Sequence, residues 1–185
     1  MYAFTTKYNG LGKVLVNEVG LSIPYDLSHG IQDPALTIKA IWDTGASMST
    51  LTKKVVQQLK LQPTGKMKVR NTSEEKLRDS YILNLYLPNR VMIPFVKVVD
   101  CEDVLGGADM LIGMDIITMG DFAITNFNGK TTFSFVTPAK RTIDYVEELN
   151  QINQRIPVLT RIEEEKKRRM INAATKSKKK RKKRK

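Results

Sequence analysis

The chain has 185 residues, which suits one ordinary domain plus an extension better than two full domains. Its 41% hydrophobic content can build a core, and its single cysteine, Cys101, excludes an internal disulfide framework and points to a reducing compartment. The formal charge of +12 is unevenly placed: residues 1–137 hold 14 Lys/Arg against 13 Asp/Glu, residues 138–185 hold 17 against 6, so the body is electrostatically ordinary and whatever the excess does belongs to the tail.

Taken in chain order, Met1–Lys7 lacks a basic head before a long apolar run, which argues against a signal peptide. The longest apolar stretches, such as Val91–Val96, fall far short of the ~20 residues a spanning helix needs. A soluble, cytoplasmic protein without membrane contact is expected. Lys13–Val16, Leu36–Trp42, Tyr81–Leu87 and Pro94–Val99 are short β-branched and aromatic runs, several alternating with period two, and they predict a mainly β body. Two short helices should interrupt it. Thr52 can cap the first, with Val55, Val56 and Leu59 on one face. The second, over Met114–Met119, should stop at Gly120 in a left-handed C-cap.

Asn128-Gly129 lies between Ala123–Phe127 and Lys130–Phe135 and predicts a type I′ hairpin, because both residues tolerate positive φ. Beyond Pro138, Ile143, Val146, Leu149, Ile152 and Ile156 recur at helical steps. Pro157 should break or kink that helix, and Arg161–Met170 reads as a second, highly charged one. Lys176–Lys185 carries like charges too densely to pack and should be disordered in isolation. The expected organisation is a β domain over residues 1–137, a helical extension over 138–170 and a basic tail over 171–185.

The segment that carries chemistry is Ala40–Ser47, an apolar strand running into Asp43-Thr44-Gly45. Peptide hydrolysis without metal or covalent intermediate needs one carboxylate as base for a water and a second, protonated, as acid. Two aspartates about 3 Å apart cannot both ionise and so share a proton. The bland alternative, an Asp-Gly surface turn, calls for polar flanks, whereas Ala40-Ile41-Trp42 is apolar. A second segment, Asp109–Asp115, sets the apolar pair Leu111-Ile112 before Gly113 and a helix.

Together, Trp42–Ser47 and Leu111–Asp115 resemble the retropepsin-like aspartic proteases, the retroviral proteases and their cellular and bacterial relatives, over roughly residues 10–137. The resemblance implies a mainly β, single-lobed closed barrel with short helices and an aspartic endopeptidase activity. It makes Asp43 the catalytic aspartate and Thr44 the inter-subunit grip. Gly45 and Ala46 would support the pair of carboxylates, and Leu111, Ile112 and Gly113 would buttress the site. A substrate-covering flap would have Asn71, Thr72, Ser73 and Glu74 at its tip, beside Glu75 and without the usual glycine. The chain has only one Asp-Thr-Gly, so the second carboxylate must come from another copy in a homodimer with an isologous interface. No metal or cofactor is implied. The alternative is a catalytically weak dimeric binding or scaffold protein on the same fold.

Other residues read as structural. His29, the only histidine, sits in a polar loop, and one His with one Cys argues against a metal site or a Cys–His protease. Acidic neighbours Glu102 and Asp103 should raise the Cys101 thiol above nucleophilic range. Gly106-Gly107 lacks the Lys-Ser/Thr of a phosphate loop and reads as a turn, and Asp115 as a cap or structural partner. For Lys176–Lys185 the readings are a solubilising tail, a nuclear import signal, or attachment to nucleic acid or another polyanion, without aromatic residues for base stacking.

Overall fold

A computed structural model describes residues 2–70, 75–89 and 91–182, by backbone alone at 70, 154–161 and 172–182. It divides into two units, residues 1–141 and 142–185.

The first unit is mainly β. Its strands are β1 (Tyr2–Lys7), β2 (Leu15–Ser22), β3 (Leu36–Trp42), β4 (Thr50–Thr52), β5 (Gly65–Arg70), β6 (Glu75–Tyr86), β7 (Met92–Cys101), β8 (Met110–Ile112), β9 (Asp121–Thr125) and β10 (Thr132–Thr137). Two short helices, α1 (Lys53–Gln58) and α2 (Met114–Ile117), follow β4 and β8. The larger sheet runs β2-β3-β8-β4-β7-β6-β5, and β2 also pairs with β6, so six strands close into a barrel and β5 hangs outside on β6. That closure removes the exposed edges an open sheet would leave. The result is the mainly β, single-lobed closed barrel with short helices that the sequence led us to expect. A smaller sheet, β1-β10-β9, joins the start of the unit to its end.

Alternation builds the core. In β3, Ile38, Ala40 and Trp42 point inward and are buried, as are Leu83 and Leu85 of β6 and Val96 and Val98 of β7. Phe133 and Phe135 of β10 are fully buried and meet Phe4 of β1, with ring centroids 5.6 and 6.1 Å away. Strand β1 thus closes one end of the core, although it lies outside the run of strands legible in the sequence.

Several local expectations hold and others need correcting. Asn128 (φ 52°) and Gly129 (φ 71°) adopt the left-handed conformations of the predicted turn, and Lys130 N donates to Phe127 O at 3.2 Å. The strands pair only from Thr125↔Thr132 outward, so the connection is longer than the two residues of the tightest hairpins. Helix α1 starts after Thr52 and buries Val55 and Val56, but the Thr52 side chain makes no capping bond. Helix α2 ends earlier than expected, with Thr118 as its C-cap. Gly120 is not a left-handed cap: a Cβ there would overlap the Val136 carbonyl oxygen and the Phe135 ring, so its role is close approach to β10.

The second unit holds α3 (Tyr145–Lys182), whose N-terminus is capped by Asp144, its Oδ1 accepting from Val146 N at 2.9 Å and Glu147 N at 3.0 Å. The helix does not stop at Pro157, and it takes in Lys176–Lys182, which charge density had pointed to as unstructured. Lys, Arg and Ala rank high in helix propensity and no glycine interrupts the run. No helix among the described residues is long and apolar enough to cross a membrane.

Candidate active site

The residue before Asp43 is fixed from several sides. The Trp42 ring stands 5.0 to 5.9 Å, centroid to centroid, from Phe4, Phe122, Phe133 and Phe135, and its Nε1 donates to Asn17 Oδ1 at 3.0 Å. Because side chains alternate along β3, anchoring Trp42 inward sends Lys39, Ile41 and Asp43 to the opposite face. There the chain turns. Asp43 N donates to Ile112 O at 2.9 Å, and Gly45 N donates to Asp43 Oδ1 at 2.8 Å, so one carboxylate oxygen is held by the loop itself. Asp43 is half-buried, while Thr44 and Gly45 are exposed and the Thr44 hydroxyl makes no hydrogen bond among the described residues.

Behind the loop, β8 lies parallel to β3 with Trp42 opposite Ile112. The next residue, Gly113, is buried against the loop: a Cβ on it would stand 2.6 Å from the Met48 carbonyl carbon and 2.9 Å from Ala46 O. Only glycine allows that approach. Ala46 O in turn accepts from Met114 N at 2.8 Å. Ser49, which sequence reasoning passed over, ties the arrangement together. Fully buried, it donates from Oγ to Asp115 Oδ1 at 2.9 Å and accepts from Gly113 N at 3.1 Å, and its own amide donates to Asp115 Oδ2 at 3.1 Å. Asp115 is therefore the structural partner it was expected to be. A serine six residues past an aspartate carries no periodic signal, so nothing in the sequence singled it out.

Asp43 and Thr44 open onto a cleft of about 740 Å3 walled by Val14, Ile41, Leu105 and Leu111. Leu111 thus faces the cleft, whereas Ile112 and Gly113 sit buried behind it. Val14 and Leu105 are large apolar side chains left exposed, Leu105 at 88%, just before the left-handed glycines Gly106 and Gly107 that make the predicted turn. A second carboxylate, Asp103, also lines the cleft, with its Oδ1 accepting from Val104 N at 2.8 Å.

The strands flanking the expected flap, β5 and β6, pair antiparallel from Gly65↔Ser80 to Arg70↔Glu75. Its tip, Asn71, Thr72, Ser73 and Glu74, lies outside the described residues. Cys101 is half-buried, and burial pushes its thiol up more than Asp100 and Asp103 do, so the direction expected from sequence holds with a different leading cause. His29 is exposed on a turn with Asp26 and Ser28. Among the described residues no three His, Cys, Asp or Glu side chains gather as a metal site would need.

No protein-family model and no curated protein matches the chain. Solved structures do. A retropepsin-like aspartic protease from Rickettsia conorii is 15% identical with a TM-score of 0.44, covering 73% of this chain and 94% of its own. The simian foamy virus (mac) protease is 18% identical with a TM-score of 0.37, covering 55% of this chain and 89% of its own. The retroviral protease-like domain of Ddi1 from Leishmania major is 18% identical with a TM-score of 0.36, covering 65% of this chain and 95% of its own.

Proposed function

We propose that this chain is an aspartic endopeptidase that works as a homodimer, with Asp43 of each copy meeting at the two-fold axis. The observation that carries the reading is the placement of Asp43: it stands at the end of a buried strand, one oxygen held by Gly45 N, facing a cleft whose exposed apolar walls suit the side chains of an extended peptide. Exposed Thr44 is free to bond its counterpart and hold the two loops together. Gly45 and Ala46 shape the loop, and Ile112 and Gly113 support it from behind.

In this mechanism the two carboxylates share one proton. The ionised one takes a proton from a water lying between them, and the oxygen attacks the scissile carbonyl carbon. The protonated one donates to the carbonyl oxygen, giving a tetrahedral diol. Proton transfer to the amide nitrogen and return of a diol proton to a carboxylate then break the C–N bond and restore the shared proton. The hairpin of β5 and β6 serves as the flap over bound peptide. The basic end of the chain, Lys176–Lys185, attaches the enzyme to nucleic acid or another polyanion.

Asp103 is the one carboxylate on the same cleft that offers a single-chain alternative to the dimer. Cleavage of a diverse peptide pool separates the two arrangements when Asp43→Asn and Asp103→Asn are compared with the unaltered chain across pH 3–8, while sedimentation reports the oligomer. Asp43→Asn should abolish cleavage, by a factor of at least about 10³, Asp103→Asn should leave it within a fewfold, and active protein should sediment as a dimer. A monomer that still cleaves, or loss of activity with Asp103→Asn alone, would sink the proposal.

A further inference from the structure

A second cavity, of about 420 Å3, shares no lining residue with the cleft of Asp43. Ile23, Pro24, Leu61, Ile82 and Phe95 wall it, and Lys60, Gln62 and Thr64 complete the lining. Its volume falls in the roughly 300–1,000 Å3 range of small-molecule sites. Backbone strain is concentrated there. Among the described residues three non-glycine residues have positive φ; Asn128 is accounted for by its turn, and the other two, Lys60 (φ 51°) and Phe95 (φ 56°), both line this cavity.

Each is held in place by its surroundings. The Phe95 amide donates to Oδ1 of the fully buried Asn84 at 3.2 Å, at a point where the β6–β7 register slips between Leu83 and Leu85. Asn84 Nδ2 is itself tied to Ile23 O at 3.2 Å. This bulge turns the Phe95 ring out of the sheet and leaves it 56% exposed. A bulky residue in this region is strained, and its ring does not repay the cost by filling the core. Lys60 occupies the residue after the C-cap of α1, with Lys60 N donating to Gln57 O at 3.1 Å and Leu61 N to Val56 O at 3.0 Å. Glycine is the usual occupant of that position. Both side chains thus sit where a different residue would be easier to accommodate, and both face one apolar cavity.

The lining restricts the ligand. A peptide entering it would strip water from more backbone amides than Gln62 and Thr64, already bonded to Lys60 O and Ser80 O, could satisfy, whereas an alkyl chain carries no such groups. Lys60 makes no ion pair among the described residues and offers a cation within the lining. We propose that this pocket binds an aliphatic carboxylate, with the chain against Phe95, Ile23 and Leu61 and the carboxylate on the Lys60 ammonium. The proposal does not depend on the chemistry at Asp43.

Titration calorimetry of the full chain with decanoate, decanol and decyltrimethylammonium, each below its micelle concentration, tests it. Decanoate should bind saturably and more tightly than the other two. Phe95→Asn and Lys60→Gly place residues suited to positive φ, so both should raise Tm. Phe95→Asn should weaken decanoate by about tenfold or more, and Lys60→Gly should erase the preference for decanoate over decanol, a charge-assisted bond being of about that size. Equal binding of decanoate and decanol by the unaltered chain, or undiminished decanoate affinity in Phe95→Asn, would overturn the site. A lower Tm in Phe95→Asn would show that the ring is a packing element and remove the argument from strain.

Discussion

Ser49 illustrates how much of the candidate site depends on one hydroxyl. It bonds the Asp115 carboxylate and receives the Gly113 amide inside the protein. Replacing it by alanine leaves both of those groups one partner short, and an unsatisfied buried group costs about 1–3 kcal/mol. Ser49→Ala should lower Tm by several degrees and reduce peptide cleavage through displacement of the Asp43 loop; an unchanged Tm would show that the hydroxyl is dispensable. Ala46 bears on pH. A hydroxyl at that position would donate to the carboxylates, favour ionisation and lower their pKa. Ala46 offers no such donor, so in the proposed dimer the acid limb of the pH–rate profile should lie nearer neutral. A profile peaking near about pH 3 would contradict this reading of Ala46.

The charged cluster between α1, β6 and β7 shows the same logic for an element. Lys53 Nζ lies 2.6 Å and Arg78 Nη1 3.1 Å from Glu102 Oε1, so the helix and the long strand β6 are clipped to the end of β7. The hydrogen bond from Lys53, then that from Arg78, holds the Glu102 carboxyl below the usual range, and the bond to Glu102 holds Lys53 above its own. A carboxylate with a lowered folded pKa contributes stability that is present above its unfolded value, about 4.3, and is lost as pH falls through the folded value. A lysine raised by its partner contributes below its unfolded value and loses that as pH rises further. Glu102→Gln should therefore lower Tm slightly at pH 7 and make no difference at the acid end of a Tm–pH series. A difference that persists undiminished in acid would rule out the ion pairs as its source. The pairs are exposed, so added salt should shrink the effect.

For the whole molecule, one chain brings one Asp-Thr-Gly, and the proposed chemistry is complete only when two copies meet. Charge is divided as sharply as chemistry, with the barrel near neutrality and the helical unit strongly basic. Truncation after residue 175 should abolish retention on heparin at moderate salt and leave peptide cleavage intact, because counterion release scales with the number of cations removed. Retention that survives the truncation would assign polyanion binding to another part of the chain.

Strands and motifs were legible where a local rule operates. Period two marked β3 and much of β6 and β7, positive φ tolerance marked the turn at Asn128-Gly129, and an apolar run into Asp43-Thr44-Gly45 marked the site loop. With Ala40, Ile41 and Trp42 all apolar, the side to which Asp43 turns was decided by the four phenylalanine rings that hold Trp42 inward. What only the tertiary structure decided depends on residues distant in the chain. Strand β1 pairs with β10, Gly120 serves close approach instead of a helix cap, and Ser49, beside β4, reaches Gly113 and Asp115 at the end of the adjoining strand β8. The strained pair Lys60 and Phe95 meets at one cavity for the same reason. Periodicity and turn chemistry are properties of neighbouring residues and can be read in one dimension; strand order, close approach and buried hydrogen bonds appear only once the chain has closed on itself.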